Sequence, residues 1–331
     1  MHMADALVNP AVAGAMYIAS AAVAAYSIKK VRQENDARKI PLMGVMGAFV
    51  FAAQMLNFSI PGTGSSGHLC GGLLLAALLG PYAAFLTMIV ILSLQCLLFA
   101  DGGLLALGCN IWNMAFYGCF IGYFGVWQPL LRRGVNKGKI FAAAIIGSVL
   151  TLQLGSLSVA IETSLSGITE LPFEVFAVTM QSIHLAIGAS EGLIIACVLT
   201  FIYNARPELL SGAYAVDAAP KFSYQKTLAA LGVAALLFGG AFSLAASDKP
   251  DGLEWSLSRV AGTEELTADS ASHAQAAAIQ EATSLLPDYA FKDSDSVYGT
   301  IFSGVFGSAA VVVLALGLCR AGKFFGSSRH E

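Results

Sequence analysis

The run LCGGLLLAALLGPYAAFLTMIVILSLQCLLFA, residues 69–100, contains no charged side chain. Its second part, Tyr82 to Ala100, has the length a helix needs to cross a bilayer, about 20 apolar residues. Its first part, Leu69 to Leu79, is too short to span, and Gly80-Pro81 separates the two. Proline ends a helix, and bare backbone is not tolerated in lipid, so the pattern predicts a half-helix with irregular backbone buried in protein.

Seven more apolar segments flank this run: Val8 to Ile28, Leu42 to Ile60, Leu104 to Trp127, Ile140 to Ile161, Val175 to Tyr203, Thr227 to Ala246 and Val297 to Leu318. Of the 331 residues, 56% are hydrophobic and 12% charged, with a net charge of -3 and a mean hydropathy of +0.71. These values exclude an ordinary soluble domain and predict an all-α polytopic membrane protein, a helical bundle of about nine hydrophobic segments. Membrane lipid is its expected surrounding, and no nucleic-acid partner is expected.

Basic residues orient the bundle. With the N-terminus outside, residues 29–39, 132–139, 204–226 and the tail after Leu318 are cytoplasmic and hold 15 of the 18 lysines and arginines. Only Lys249, Arg259 and Lys292 fall on the other side. The positive-inside rule therefore predicts an outer N-terminus and a cytoplasmic C-terminus. No basic region precedes the first apolar run, so no cleavable signal peptide is expected there.

Composition changes after Tyr203. Residues 1–213 form a first module of seven segments, 214–226 a cytoplasmic linker, and 227–331 a second module of two helices flanking an external loop at 247–296. That loop carries 10 of the 21 acidic residues, and its middle, ADSASHAQAAAIQEATSLL, is helix-prone and amphipathic. A solvated loop and a metal-attracting one are both compatible with it. The six cysteines lie within or at the ends of apolar segments and read as packing residues, with no CxxC pair. No GxxxxGK[ST] loop is present; GVNKGKI ends in the wrong residue, so any ATP must be hydrolysed by another chain.

The chain opens MH. A free amine on Met1, the amide nitrogen of His2 and Nδ1 of its ring can close one five-membered and one six-membered chelate ring around a single ion. Three nitrogens then lie nearly in a plane, an arrangement favoured by Ni²⁺ and Cu²⁺. One corner of the square stays open. Of the remaining histidines, His330 lies in the tail and His273 in an external loop read as mobile, which leaves His68 and His184. His68 follows the glycine-rich IPGTGSSG, on the same side as His2.

PGTGSSGHLCGGLLLAALLGPYAAFLTMIVILSLQCLLFADGGLLALGCNIWNM, with the opening MH and the later IHLAIGASEGLI, resembles the CbiM/NikM family. These are the substrate-binding components of energy-coupling factor ABC transporters for nickel and cobalt. KPDGLEWS is similar to the PDGLE motif (Pro250, Asp251, Gly252, Leu253, Glu254) of the accessory N component, here fused behind the M component. The resemblance implies that the first module binds metal, with Met1, His2 and His68 as nitrogen ligands. It implies uptake of Ni²⁺ or Co²⁺ as transported ligand, with no cofactor and no enzymatic activity of the chain itself. It further implies a transmembrane coupling subunit (CbiQ/NikQ-like), ATPase subunits (CbiO/NikO-like), and a bacterial or archaeal cytoplasmic membrane. Cobalt uptake for cobalamin biosynthesis and a stand-alone secondary metal permease are the alternatives. Leu69 and Cys70 stand where the family often has proline and threonine, and Ala6 where it often has glycine, departures that bear on metal preference.

Residues expected to orient the ligands are Ser65, Ser66, Gln95, Asp101, Asn110 and Asn113. His184 and Glu191, seven apart on one helical face, are read as an intramembrane polar pair. A carboxylate there costs about 3 kcal/mol to insert, so it is seldom idle. Ala11, Ala15 and Ala19, spaced by four, and Ala21 with Ala25 permit a close helix approach, either within the bundle or to the coupling subunit. Asp251 and Glu254 suit either a stabilised turn or weak oxygen ligation of an incoming ion.

Overall fold

The computed structural model describes residues 1–34, 36, 38–212, 220–292, 294 and 296–327. Residues 214–219 of the expected linker and His330 lie outside them. The chain is helical almost throughout, with one two-residue ladder pairing β1 (Phe58–Ser59) and β2 (Ser66–Gly67). Helix α1 is Pro10–Glu34, α2 Lys39–Gln54, α3 Gly72–Leu79 and α4 Pro81–Phe99. Helix α5, Leu107–Asn110, runs through a π-wound stretch, Ile111–Trp127, into α6, Gln128–Leu131. Long helices α7 (Lys137–Ser166) and α8 (Phe173–Ala205) follow, then α9 (Tyr224–Gly239), α10 (Gly252–Ala261), α11 (Ala271–Thr283) and α12 (Val297–Ser327).

Among the described residues, five helices are long and apolar enough to cross a membrane: α1, α4, α7, α8 and α12 up to Gly317. The apolar helices α2 and α9 are shorter. The chain is thus an all-α, multi-pass membrane protein. Helix α3 is buried along its whole length and stops at Gly80, whose φ of 81° and ψ of 162° suit glycine; Pro81 then opens α4.

Helices α7 and α8 pack lengthwise, while α9 and α12 of the second module pack on α2 of the first. The α9 and α12 backbones cross at Gly239 and Gly304, where an added Cβ would collide with backbone.

The loop at 247–296, expected to be external, carries helices α10 and α11, and both dock back on the first module. Helix α10 packs on α8 and α11 on α4. This corrects the expectation that His273 sits in a mobile loop. The ring is buried, its Nδ1 meets the hydroxyl of Ser270 at 2.6 Å, and its Nε2 lies 3.0 Å from the carbonyl oxygens of both Asp5 and Val8.

Candidate metal centre

The first residues are threaded into the bundle. Met3 is fully buried; its amide donates to Asn110 Oδ1 at 2.7 Å, and its carbonyl accepts from Asn110 Nδ2 at 3.1 Å and from the Gly103 amide at 2.8 Å. The Asp5 carboxylate accepts from the Ala106 amide at 3.0 Å. Chain termini are ordinarily solvated and loose. Here Met1 is only 6% exposed, and its amine is held by two partners, Asp251 Oδ2 and His68 Nε2, the latter at 3.2 Å.

His68 is placed by the short ladder and by the turn that follows it. Its Nδ1 faces the carbonyl oxygen of Leu69 at 3.2 Å, an atom that can only accept, so the proton belongs on Nδ1 and the lone pair of Nε2 points at the amine. The His2 ring stacks on His68 with centroids 5.2 Å apart and planes inclined by 22°. Its Nδ1 lies 3.2 Å from Asp101 Oδ1, and its Nε2 lies 3.3 Å from Gln95 Oε1. Gln95 is itself oriented, because its amide group donates to Gln54 Oε1 at 2.9 Å.

Both ring nitrogens of His2 therefore face acceptors. A neutral imidazole donates from only one nitrogen. Burial lowers the pKa of His2, with Asp101 offsetting part of the effect, and burial together with the adjacent ammonium pushes His68 down to about 3. Burial thus favours the neutral form of both rings. Burial also opposes charge on the Met1 amine, but Asp251 outweighs it and raises the amine above 8.0. Burial opposes the charge on Asp251 too, and the ammonium overrides it, holding the carboxyl well below its ordinary range.

The PDGLE turn completes the enclosure. Asp251 Oδ1 accepts from the amides of Leu253 (2.7 Å) and Glu254 (3.0 Å), while Glu254 Oε2 accepts from the Asp251 amide at 2.8 Å. This is a capping box that starts α10. One oxygen of Asp251 thus serves the helix and the other the chain terminus.

Of the residues expected to orient ligands, Gln95 and Asp101 touch His2, and Asn110 fixes Met3. Ser65 and Ser66 have a different role. The Ser66 hydroxyl donates to the Lys249 carbonyl at 2.7 Å and its amide to the Pro250 carbonyl at 2.8 Å; the Ser65 hydroxyl reaches the same Pro250 carbonyl at 3.3 Å. They fasten the PDGLE turn. Asn113 turns away from the histidines and donates to Glu162 Oε2 at 2.7 Å.

His184 and Glu191 do not pair with each other. Nδ1 of His184 donates to the Met180 carbonyl at 2.7 Å, and Glu191 accepts from the amides of Cys70 and Gly71. The separation of one face over two helical turns brings each to a different loop.

Gln54, Glu162, His273 and Tyr289, whose hydroxyl donates to Asp101 Oδ2 at 2.5 Å, carry no local signal in the sequence. Among the described residues, no group of three or more His, Cys, Asp or Glu side chains converges as a metal site.

Two family comparisons and several relatives bear on this arrangement. Residues 2–209 match the CbiM family, described as the cobalt uptake substrate-specific transmembrane region, and residues 225–323 match the PDGLE domain. The chain is similar to a putative fused nickel transport protein NikMN of Archaeoglobus fulgidus, 37% identical over 96% of this chain and 97% of that one. It is also similar to the cobalt transport protein CbiM of Sorangium cellulosum, 31% identical over 66% of this chain and 99% of that one. A crystal structure of a truncated transition metal transporter superposes with a TM-score of 0.54 at 33% identity, covering 61% of this chain and 98% of that one. By these matches along both modules, the chain belongs to the CbiM family of metal-uptake membrane proteins, with a PDGLE domain fused behind it.

Proposed function

We propose that the chain captures Ni²⁺ as substrate from outside the cell, at a site made by the Met1 amine, the His2 amide and Nδ1, and His68 Nε2. One observation carries this reading: a chain terminus buried to 6% exposure sits 3.2 Å from the lone pair of a neutral histidine 67 residues away. Two nitrogens bound at about 2.0–2.1 Å to one ion and at a right angle to each other lie about 2.9 Å apart, so a small adjustment admits the ion. Chelation replaces the contact of His2 Nδ1 with Asp101. It also places the ring proton on Nε2, where Gln95 Oε1 accepts it, and so relieves the mismatch of two acceptors facing one neutral ring.

The Met1 ammonium and the His2 backbone amide must each release a proton to water to bind, leaving the charge of Asp251 beside an incoming dication. The fused nickel transport relative and the planar nitrogen set favour Ni²⁺ over Co²⁺. Co²⁺ is the second reading, favoured by the cobalt transport relative. A secondary permease would need neither ATPase nor coupling subunit. Transport is assigned to an energy-coupling factor assembly, with the N-terminus outside and the ATPases in the cytoplasm. Exposed Ala11, Ala15, Ala21 and Ala25 on α1 support docking of the coupling subunit over internal packing.

The experiment is calorimetric titration of Ni²⁺ and Co²⁺ into protein with its native N-terminus, beside a variant with one alanine inserted after Met1. Loss of tight binding on insertion supports the chelate. Equal binding by both forms sinks it.

A further inference from the structure

Helix α8 presents His184, Ile187 and Glu191 on one buried face, at spacings of three and four. The Glu191 carboxylate spans two successive amides, taking Cys70 N–H on Oε2 at 3.0 Å and Gly71 N–H on Oε1 at 3.1 Å. The Cys70 carbonyl accepts from Gln54 Nε2 at 2.8 Å, so the Cys70–Gly71 peptide is held on both sides. One helical turn earlier, Ile187 lies against Gly67, where an added Cβ would come within 2.8 Å of its Cγ2. His68 is therefore suspended between two points on one helix, Ile187 before it and Glu191 after it.

The same face seats the second module. A Cβ added to Gly252 would stand 2.8 Å from Ile187 Cδ1 and 2.8 Å from His184 Cε1, so the PDGLE turn fits only because residue 252 has no side chain. Gly252 follows Asp251, the partner of the Met1 amine. One rigid helix thus sets the position of His68 and of Asp251 relative to each other.

We propose that Glu191 is a positioning residue of the metal site, holding His68 Nε2 against the Met1 amine through the amides of Cys70 and Gly71. It does not touch the ion. This rests on the reading of Met1, His2 and His68 as the ligand set. A carboxylate suits the task because it offers an acceptor oxygen to each amide, whereas glutamine offers one oxygen and turns donors toward the other amide. Outer partners of metal ligands typically contribute about 10–100-fold in affinity by fixing ligand orientation.

The test uses full-length Glu191→Gln and, independently, Gly67→Ala, which pushes the same loop off Ile187, with Gly67→Ala/Ile187→Ala as its rescue. Hydrogen exchange of the peptide spanning 68–72 in metal-free protein reads the clamp, and Ni²⁺ titration with the ligand-field spectrum of bound Ni²⁺ reads the site. Expected are faster exchange at 68–72 in Glu191→Gln, a Ni²⁺ affinity lower by about 10–100-fold, and an unchanged spectrum, because the ligands are the same. Gly67→Ala should weaken Ni²⁺ likewise, and the double variant should recover. Glu191→Gln with native exchange and native affinity overturns the proposal, as does faster exchange with native affinity. Should Glu191→Gln fail to fold, Glu191→Asp, which keeps both acceptor oxygens but draws them back from the two amides, replaces it with the same expected and overturning results. A wild-type protein that binds no Ni²⁺ sinks the ligand-set reading instead, while the exchange data still report whether Glu191 clamps the loop.

Discussion

Met1 and His68 lie 67 positions apart, yet the amine of one lies 3.2 Å from Nε2 of the other. Three separate pieces of chain make that meeting possible: the threaded N-terminus, the ladder-and-turn that ends at His68, and the PDGLE turn whose Asp251 holds the amine. The second module is therefore part of the site's architecture as well as its neighbour.

Removing the fourth nitrogen should cost more than removing any supporting group. On the proposed ligand set, His68→Ala leaves a three-nitrogen chelate with an open corner, and its Ni²⁺ affinity should fall beyond the about 10–100-fold typical of outer partners. Thermal melting gives a second reading. At 100 times its Kd, Ni²⁺ should stabilise the native protein by about 2.7 kcal/mol and leave His68→Ala almost unmoved. Equal protection of both proteins would rule His68 out as a ligand.

His273→Ala should loosen the N-terminal segment from a distance. The carbonyls of Asp5 and Val8 share its Nε2 as a donor, and a buried polar group left unpaired costs about 1–3 kcal/mol. The expected result is a lower melting temperature, with faster hydrogen exchange confined to residues 1–9. A variant with native melting and native exchange would show that water replaces the histidine without cost.

Gly252→Ala should destabilise by about 1–3 kcal/mol, the usual range for overpacking, because its Cβ would press on His184 and Ile187 at 2.8 Å. His184→Ala in the same chain should restore much of the loss. If the double variant melts no higher than Gly252→Ala alone, the clash is not what makes glycine necessary there.

The fold was legible where one residue type repeats. Apolar runs announced the helices, and Gly80-Pro81 announced the break between α3 and α4, since composition alone decides what can lie in lipid. The grouping of Met1, His2 and His68 was expected from the family resemblance and the chelating power of MH, and the three residues do lie together. What stayed hidden was long-range pairing. His273 sits in an alanine-rich amphipathic helix that shows no sign of its partners at Asp5 and Val8, 268 and 265 positions away. Glu191 looked like a partner for His184 by helical spacing, but spacing fixes only the face of a helix, and the loops lying on that face decide what each side chain meets.

Asp251 separates two roles that the PDGLE motif combines. Its Oδ1 caps α10 and its Oδ2 holds the Met1 amine. Asp251→Ala removes both, and loss of the cap alone is worth about 0.5–2 kcal/mol. Asp251→Asn keeps an oxygen for the two helix amides and withdraws the charge from the terminus. Melting of Asp251→Asn should therefore fall between wild type and Asp251→Ala, while hydrogen exchange across residues 1–4 should rise in both variants. If Asp251→Asn leaves that segment as protected as in wild type, the contact with Met1 contributes nothing to holding the terminus, and Asn110 with Gly103 suffices through Met3.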